Sequence, residues 1–240
     1  MEELIYPVRI NKYLAFKNIC TRRKADDLVV QKKVLINGQV AKLGDKVNAN
    51  DEVKVLQKEN SQEPLVYLAY NKPKGIITHS PQENEVDIKG VLKFSKEVFP
   101  IGRLDKNSQG LIILTNDGRI TDKLLNPKYY HEKEYVVSVD KKIVPRFLSL
   151  ITAGVQLDGG YVTKPCKIKK INQFTFSITL TEGKKHQIRR MCSALGYNIV
   201  DLIRTRIINI QLQDLEAGRY RKIRGEDLKE FLSVLEIENL

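Results

Sequence analysis

Apolar residues recur at helical spacing near the start of the chain. Ile10, Tyr13 and Leu14 fall at i, i+3 and i+4, one face of a helix. Ala25, Leu28 and Val29 repeat that spacing in a second helix, with Thr21 as its expected N-cap. The period then shortens. Val34-Leu35-Ile36 and Val40 flank Asn37-Gly38, a hairpin signal because both turn residues tolerate positive φ. Residues 53–56 read as a further strand. Two helices followed by a small sheet is the expectation for residues 1–56. Residues 57–64, QKENSQEP, are polar, end in proline and read as a linker.

Beyond the linker the pattern is mainly that of strands. Residues 66–70, 110–115, 134–139, 174–180 and 207–212 are the candidates. Asn71-Lys72-Pro73-Lys74-Gly75 reads as a turn, and residues 80–96 as a mostly polar stretch with a mobile loop. Helical spacing returns at 147–151 after Pro145, at 187–195, and in Leu228, Phe231, Leu232 and Leu235. Many strands with few, dispersed helices predict an α+β protein with a largely antiparallel mixed sheet flanked by helices and loops. The predicted domains are residues 1–60, including the linker, and 61–240.

Charge changes the picture next. The 240 residues hold 41 Lys+Arg against 29 Asp+Glu, a net charge of +12, which favours a polyanionic partner. No apolar run approaches a transmembrane span, and MEELIYP lacks a signal-peptide core, so no membrane partner is expected. The three cysteines and three histidines are scattered, which argues against a disulfide framework or zinc knuckle. A reduced, cytoplasmic protein without metal or cofactor is expected, acting as a monomer.

The positive charge is concentrated. Arg9, Lys12, Lys17, Arg22, Arg23 and Lys24 fall within sixteen residues that contain no acid, a stripe able to neutralise RNA phosphates. RINKYL at 9–14, TRRKA at 21–25 and VLING at 34–38 also resemble the S4 RNA-binding domain over about residues 7–56. Asn11 stands where that family commonly has an acid, and Lys32-Lys33 where Gly-Arg is common. The resemblance implies recognition of folded RNA by shape and phosphate contact.

Two later segments carry candidate chemistry. FPIGRLDKNSQGL at 99–111 sets Asp105 among basic residues on a loop that runs into an apolar strand. TEGKKHQIRRM at 181–191 follows a strand, opens a helix and holds four Lys/Arg. Taken singly, Asp105 reads more simply as a turn aspartate and Tyr135 as a core tyrosine. Asp117, in Asn116-Asp117-Gly118, has a turn role. The spacing of Gly102 and Gly110 matches neither a Walker loop nor a dinucleotide fingerprint.

In order and spacing, however, NKPKG, GRLDKNSQGLIILTNDG, HEKEY and TEGKKHQIRRMCSALGY resemble the RsuA/RluB/RluE/RluF family of pseudouridine synthases. HEKEY and QIRRMC look closest to the RluF-type members that act on 23S rRNA. The resemblance implies that a uridine in ribosomal RNA is isomerised to pseudouridine without cofactor; tRNA is left open as a further substrate. It implies that Asp105 is the catalytic carboxylate, Tyr135 the tyrosine that packs on the uracil, and Arg189 the partner of the aspartate. Arg103 matches the residue that helps hold the flipped-out nucleotide. Arg190, about 100° further round the helix, is left as an RNA-phosphate contact. His186 and Gln187 rank behind these as substrate contacts. The alternative is a non-catalytic factor that only grips RNA.

Overall fold

The computed structural model describes residues 4–17, 19–20, 22–56 and 64–237. It divides into two compact units, Met1–Val66 with Asn116–Ile120, and Tyr67–Thr115 with Thr121–Leu240. The expected linker and the 60/61 boundary fall mostly on residues outside those described, and so does Thr21.

In the first unit β1 (Val8–Arg9) leads into α1 (Ile10–Phe16), and α2 (Arg22–Val30) follows. The hairpin of β2 (Val34–Ile36) and β3 (Gln39–Val40) turns at Asn37 and Gly38, with φ of 51° and 80°. β4 (Lys46–Val47) pairs with β1, and β5 (Val53–Val55) with β2. The predicted helical faces are the ones buried: Ile10 and Leu14 of α1 pack with Ala25, Leu28 and Val29 of α2, over Val34 and Val47. Each large aliphatic so buried contributes about 1.5–3 kcal/mol relative to exposure. Asn11 ties the helices together by donating to Asp26 at 3.0 Å.

The second unit runs β6 (Tyr67–Lys72), α3 (Ile88–Val91), β7 (Phe99–Ile101), β8 (Gln109–Thr115), α4 (Ile120–Leu125), β9 (Lys133–Val139) and α5 (Pro145–Ala153). It continues through β10 (Lys167–Lys170), β11 (Thr175–Leu180), α6 (Gln187–Ala194), β12 (Ile199–Ile207), β13 (Ile210–Gln211), β14 (Tyr220–Lys222) and α7 (Gly225–Val234). Among the described residues the sheet order is β10-β11-β9-β12-β8-β6-β14, with β13 on β12 and β7 on β8. Every pair is antiparallel except β12 with β8. This is the predicted α+β class. Phe147 and Ile151 of α5, with Ile188, Met191 and Cys192 of α6, pack on Val137, Phe176 and Ile178 of the sheet.

Two sequence expectations are corrected. Residues 207–212 are not one strand. β12 ends at Ile207, Ile208 takes a φ of 53°, and β13 folds back antiparallel. The longer strand β12 escaped the sequence reading because Asp201, Arg204 and Arg206 interrupt its apolar pattern. Within 80–96 the chain forms one helical turn, α3, whose N-cap Asp87 accepts from Gly90 N at 2.9 Å and which buries Ile88. Residues 164–170 and 219–224 supply β10 and β14, the outer strands of the sheet, where Lys167, Lys169, Lys170 and Lys222 are exposed.

Candidate active site

Asp105 sits at a corner between β7 and β8, and its loop is pinned on both sides. Thr78, buried, donates from Oγ1 to Leu104 O at 2.9 Å and accepts from Leu104 N at 3.0 Å. Gly75 N donates to Lys106 O at 2.8 Å, so the NKPKG turn braces the aspartate loop directly. Ser108 N closes the corner on Asp105 O at 3.0 Å. The carboxylate itself remains about one-third exposed, open to a substrate.

The TEGKKHQIRR segment supplies an imidazole and a guanidinium. His186 caps α6 in the left-handed region and brings Nε2 to 3.4 Å from Asp105 Oδ1. Arg189, in the first turn of α6, sets Nε 3.9 Å from Asp105 Oδ2. Its Nη2 donates to Asn107 O at 3.0 Å and to Ser108 Oγ at 3.2 Å, so the guanidinium holds both the loop and the charge. The sequence pairing of Asp105 with Arg189 is therefore present as geometry. Arg190 turns elsewhere, donating from Nη2 to Asp158 O at 2.7 Å. Gln187, considered as a substrate contact, is buried instead and hydrogen-bonded to its own loop.

Three basic side chains that the sequence did not single out are desolvated within the same unit, and Lys72 among them interacts with Asp105. Lys72, on β6, is fully buried; its Nζ donates to Ile76 O at 2.6 Å and Pro73 O at 2.9 Å. Burial brings its pKa down to about 8, with Asp105 opposing that shift and Arg204 adding to it. Arg204, on β12, is buried and donates from Nε to Leu111 O at 2.7 Å; its Nη2 finds no acceptor among the described residues. Lys133, opening β9, is also brought to about 8, by burial and then by Arg204. Tyr135 lies opposite Arg204 in the β9–β12 ladder, partly buried, with the guanidinium carbon 6.0 Å from its ring centroid. The glutamates of HEKEY set that strand's start: Glu132 and Glu134 each accept from Arg206 at 3.0 Å.

The remaining predicted contacts are exposed. Arg103 lies two residues before Asp105. In the first unit Arg9, Lys12, Arg22, Arg23 and Lys24 are all exposed, and Arg9, Lys12 and Arg22 line one shallow groove with Asn11. Among the described residues no helix is long and apolar enough to cross a membrane, and no group of three or more His, Cys, Asp and Glu could hold a metal.

An accessible carboxylate beside a guanidinium and an imidazole, with buried Lys72 and Arg204 in the same unit, is a candidate catalytic arrangement. Comparison with known proteins makes this specific. The family model for RNA pseudouridylate synthase matches residues 66–194, and that for the S4 domain matches residues 8–53. The chain is 44% identical over 232 residues to the dual-specificity RNA pseudouridine synthase RluF of Escherichia coli (strain K12), covering 95% of this chain and 80% of that protein. It is 36% identical to the ribosomal large subunit pseudouridine synthase B of Bacillus subtilis (strain 168), covering 92% and 94%. A crystal structure of a pseudouridylate synthase superposes with a TM-score of 0.69 at 28% identity, covering 95% of this chain and 99% of that one. The chain belongs to the RNA pseudouridylate synthase family and carries an N-terminal S4 domain.

Proposed function

We propose that this pseudouridine synthase acts on ribosomal RNA of the large subunit, with Asp105 as the reacting carboxylate. The observation that carries the reading is the half-open carboxylate of Asp105 between His186 and Arg189, on a loop pinned by Thr78 and Gly75. The reaction conserves atoms. The N1–C1′ bond breaks, the uracil turns, C5 bonds to C1′, the C5 proton is lost and N1 gains one. Asp105 either attacks C1′ or starts the reaction by drawing a proton from the sugar; both roles need an ionised carboxylate. Arg189 offsets the cost of holding that charge beneath a base. Tyr135 is the ring on which the extruded uracil packs.

Arg103 and the S4 cations Arg9, Lys12, Arg22, Arg23 and Lys24 are the proposed RNA contacts, with Arg190 a weaker one because a carbonyl already takes one of its donors. The large-subunit assignment draws on the Bacillus relative's name; the RluF relative is named as dual-specificity, so a second RNA substrate stays within the proposal, and tRNA is the one proposed. The protein is proposed to work in the cytoplasm as a monomer without cofactor. Asp105→Asn tests the site, since an amide keeps the shape but is neither nucleophile nor base. Tritium release from [5-³H]uridine-labelled ribosomal RNA is expected to vanish while RNA affinity is nearly unchanged. Comparable turnover would remove Asp105 from the mechanism.

A further inference from the structure

Glu182 is only 4% exposed. A buried carboxylate is costly unless its acceptor positions are filled. Here neutral donors fill them: Tyr161 Oη at 2.5 Å, Gln187 Nε2 at 2.7 Å and the backbone N of Lys164 at 3.1 Å. Gln187 is equally buried, and its Oε1 accepts from Lys184 N at 2.9 Å. Its own backbone N donates to Lys184 O at 3.1 Å. The turn from 182 to 187 is thus closed on itself around two interior side chains. His186 lies inside that closure and takes a φ of 52°, a left-handed backbone that costs about 1–2 kcal/mol for an L-residue. That backbone sends the imidazole to Asp105 while the next side chain, Gln187, goes inward to Glu182. Arg189 follows two residues later on the same helix.

We propose that Glu182 is a positioning residue for the isomerisation, with Tyr161 and Gln187 as its partners. Its carboxylate clamps the 182–187 turn so that His186 and Arg189 arrive together at Asp105. The inference rests on the reading of Asp105 as the reacting carboxylate. Tyr161 stays a donor throughout, because Glu182 and burial push its hydroxyl pKa upward. In Glu182→Gln the one carbonyl oxygen can keep Gln187 Nε2 and Lys164 N, but the amide NH2 then faces the Tyr161 hydroxyl and the charge is gone, so the clamp loosens on the Tyr161 side.

The experiment is a single-turnover assay at saturating enzyme, reading tritium release from [5-³H]uridine-labelled RNA of cells lacking the enzyme. Glu182→Gln is expected to slow the step by about 100-fold, the scale of a displacement of about 1 Å in a catalytic group. RNA affinity and the cooperative thermal transition should be nearly unchanged. Tyr161→Phe is expected to slow it less. Glu182→Gln combined with Tyr161→Phe should be scarcely slower than Glu182→Gln alone, because Tyr161 acts through the same carboxylate, whereas unrelated losses of stability would add. In a His186→Ala background the Glu182→Gln effect should shrink, since the clamp then has less to deliver.

Wild-type rates in both Glu182→Gln and Tyr161→Phe would overturn the proposal. So would fully additive Glu182→Gln and Tyr161→Phe effects, or an undiminished Glu182 effect without His186. If Glu182→Gln does not fold, Tyr161→Phe in the two backgrounds gives the same decision. Asp105→Asn is run alongside. Activity in that variant would remove the underlying reading and this one with it; an Asp105-dependent reaction indifferent to Glu182 and Tyr161 removes the positioning role alone.

Discussion

Lys72 shows how surroundings reset the chemistry of one side chain. Its ammonium is sealed in the interior on two carbonyl oxygens of the turn that follows β6. Burial favours the neutral amine, and the pKa falls from 10.5 to about 8. In the unfolded chain the group keeps its ordinary value. Between these two values the unfolded state therefore binds more protons, and stability rises with pH. The contribution is fully present above the unfolded value and lost as pH falls through about 8. Compared with Lys72→Met, which cannot titrate, the native protein should gain on the order of 1–3 kcal/mol between about pH 8 and pH 10.5. Urea unfolding of both proteins across that window checks this. A constant difference would mean that Lys72 is not desolvated as its burial implies.

At the scale of elements, the parallel contact of β8 with β12 positions the site. It aligns Gln109 with Ile203 and Gly110 with Arg204, joining the strand that leaves the Asp105 loop to the strand that carries the buried guanidinium. The strands approach so closely that a Cβ on Gly110 would lie 2.4 Å from Arg204 O and 2.6 Å from Arg204 N. Gly110 also has a φ of 111°, which L side chains rarely adopt. Gly110→Ala is therefore expected to cost roughly 2 kcal/mol or more, and to lower activity even where the protein folds. Thermal unfolding and single-turnover rates measure the two effects. The β12 charges have partners on neighbouring elements: Asp201 meets Lys74 at 2.6 Å and Gln109 Nε2 at 3.2 Å, while Arg206 meets Glu132 and Glu134.

At the scale of the whole molecule, one chain combines a basic RNA-binding module with a catalytic unit. The exposed cations of α1 and α2 can neutralise phosphates independently of the reacting uridine. Removing residues 1–60 is expected to leave a folded catalytic unit with weaker and less selective RNA binding. The slope of log affinity against log salt should flatten by about 0.7–0.9 for each phosphate that the shortened protein leaves unneutralised. Filter binding on structured ribosomal RNA over a salt series tests this. Identical affinity and slope in the two proteins would deny the module its role.

The sequence by itself determined whatever local periodicity encodes. The faces of α1 and α2, the Asn37-Gly38 hairpin, the buried run of β8 and the inner face of α6 were legible because each is dictated by neighbours within a few residues. The long motifs also placed Asp105, Arg189 and Tyr135 in one candidate site, and the structure brings Arg189 to Asp105. Tertiary structure alone decided the rest. β12 was invisible because its charged positions make sense only beside partners far away in sequence, such as Lys74 and Glu132. Lys72, Arg204 and Glu182 were not singled out, since burial of a charge follows from the packing of distant strands and has no signature in the local pattern. Gln187 pointed inward for the same reason: its partner Glu182 is close in sequence, but whether that pair faces water depends on Tyr161 and Lys164, which arrive from another part of the chain.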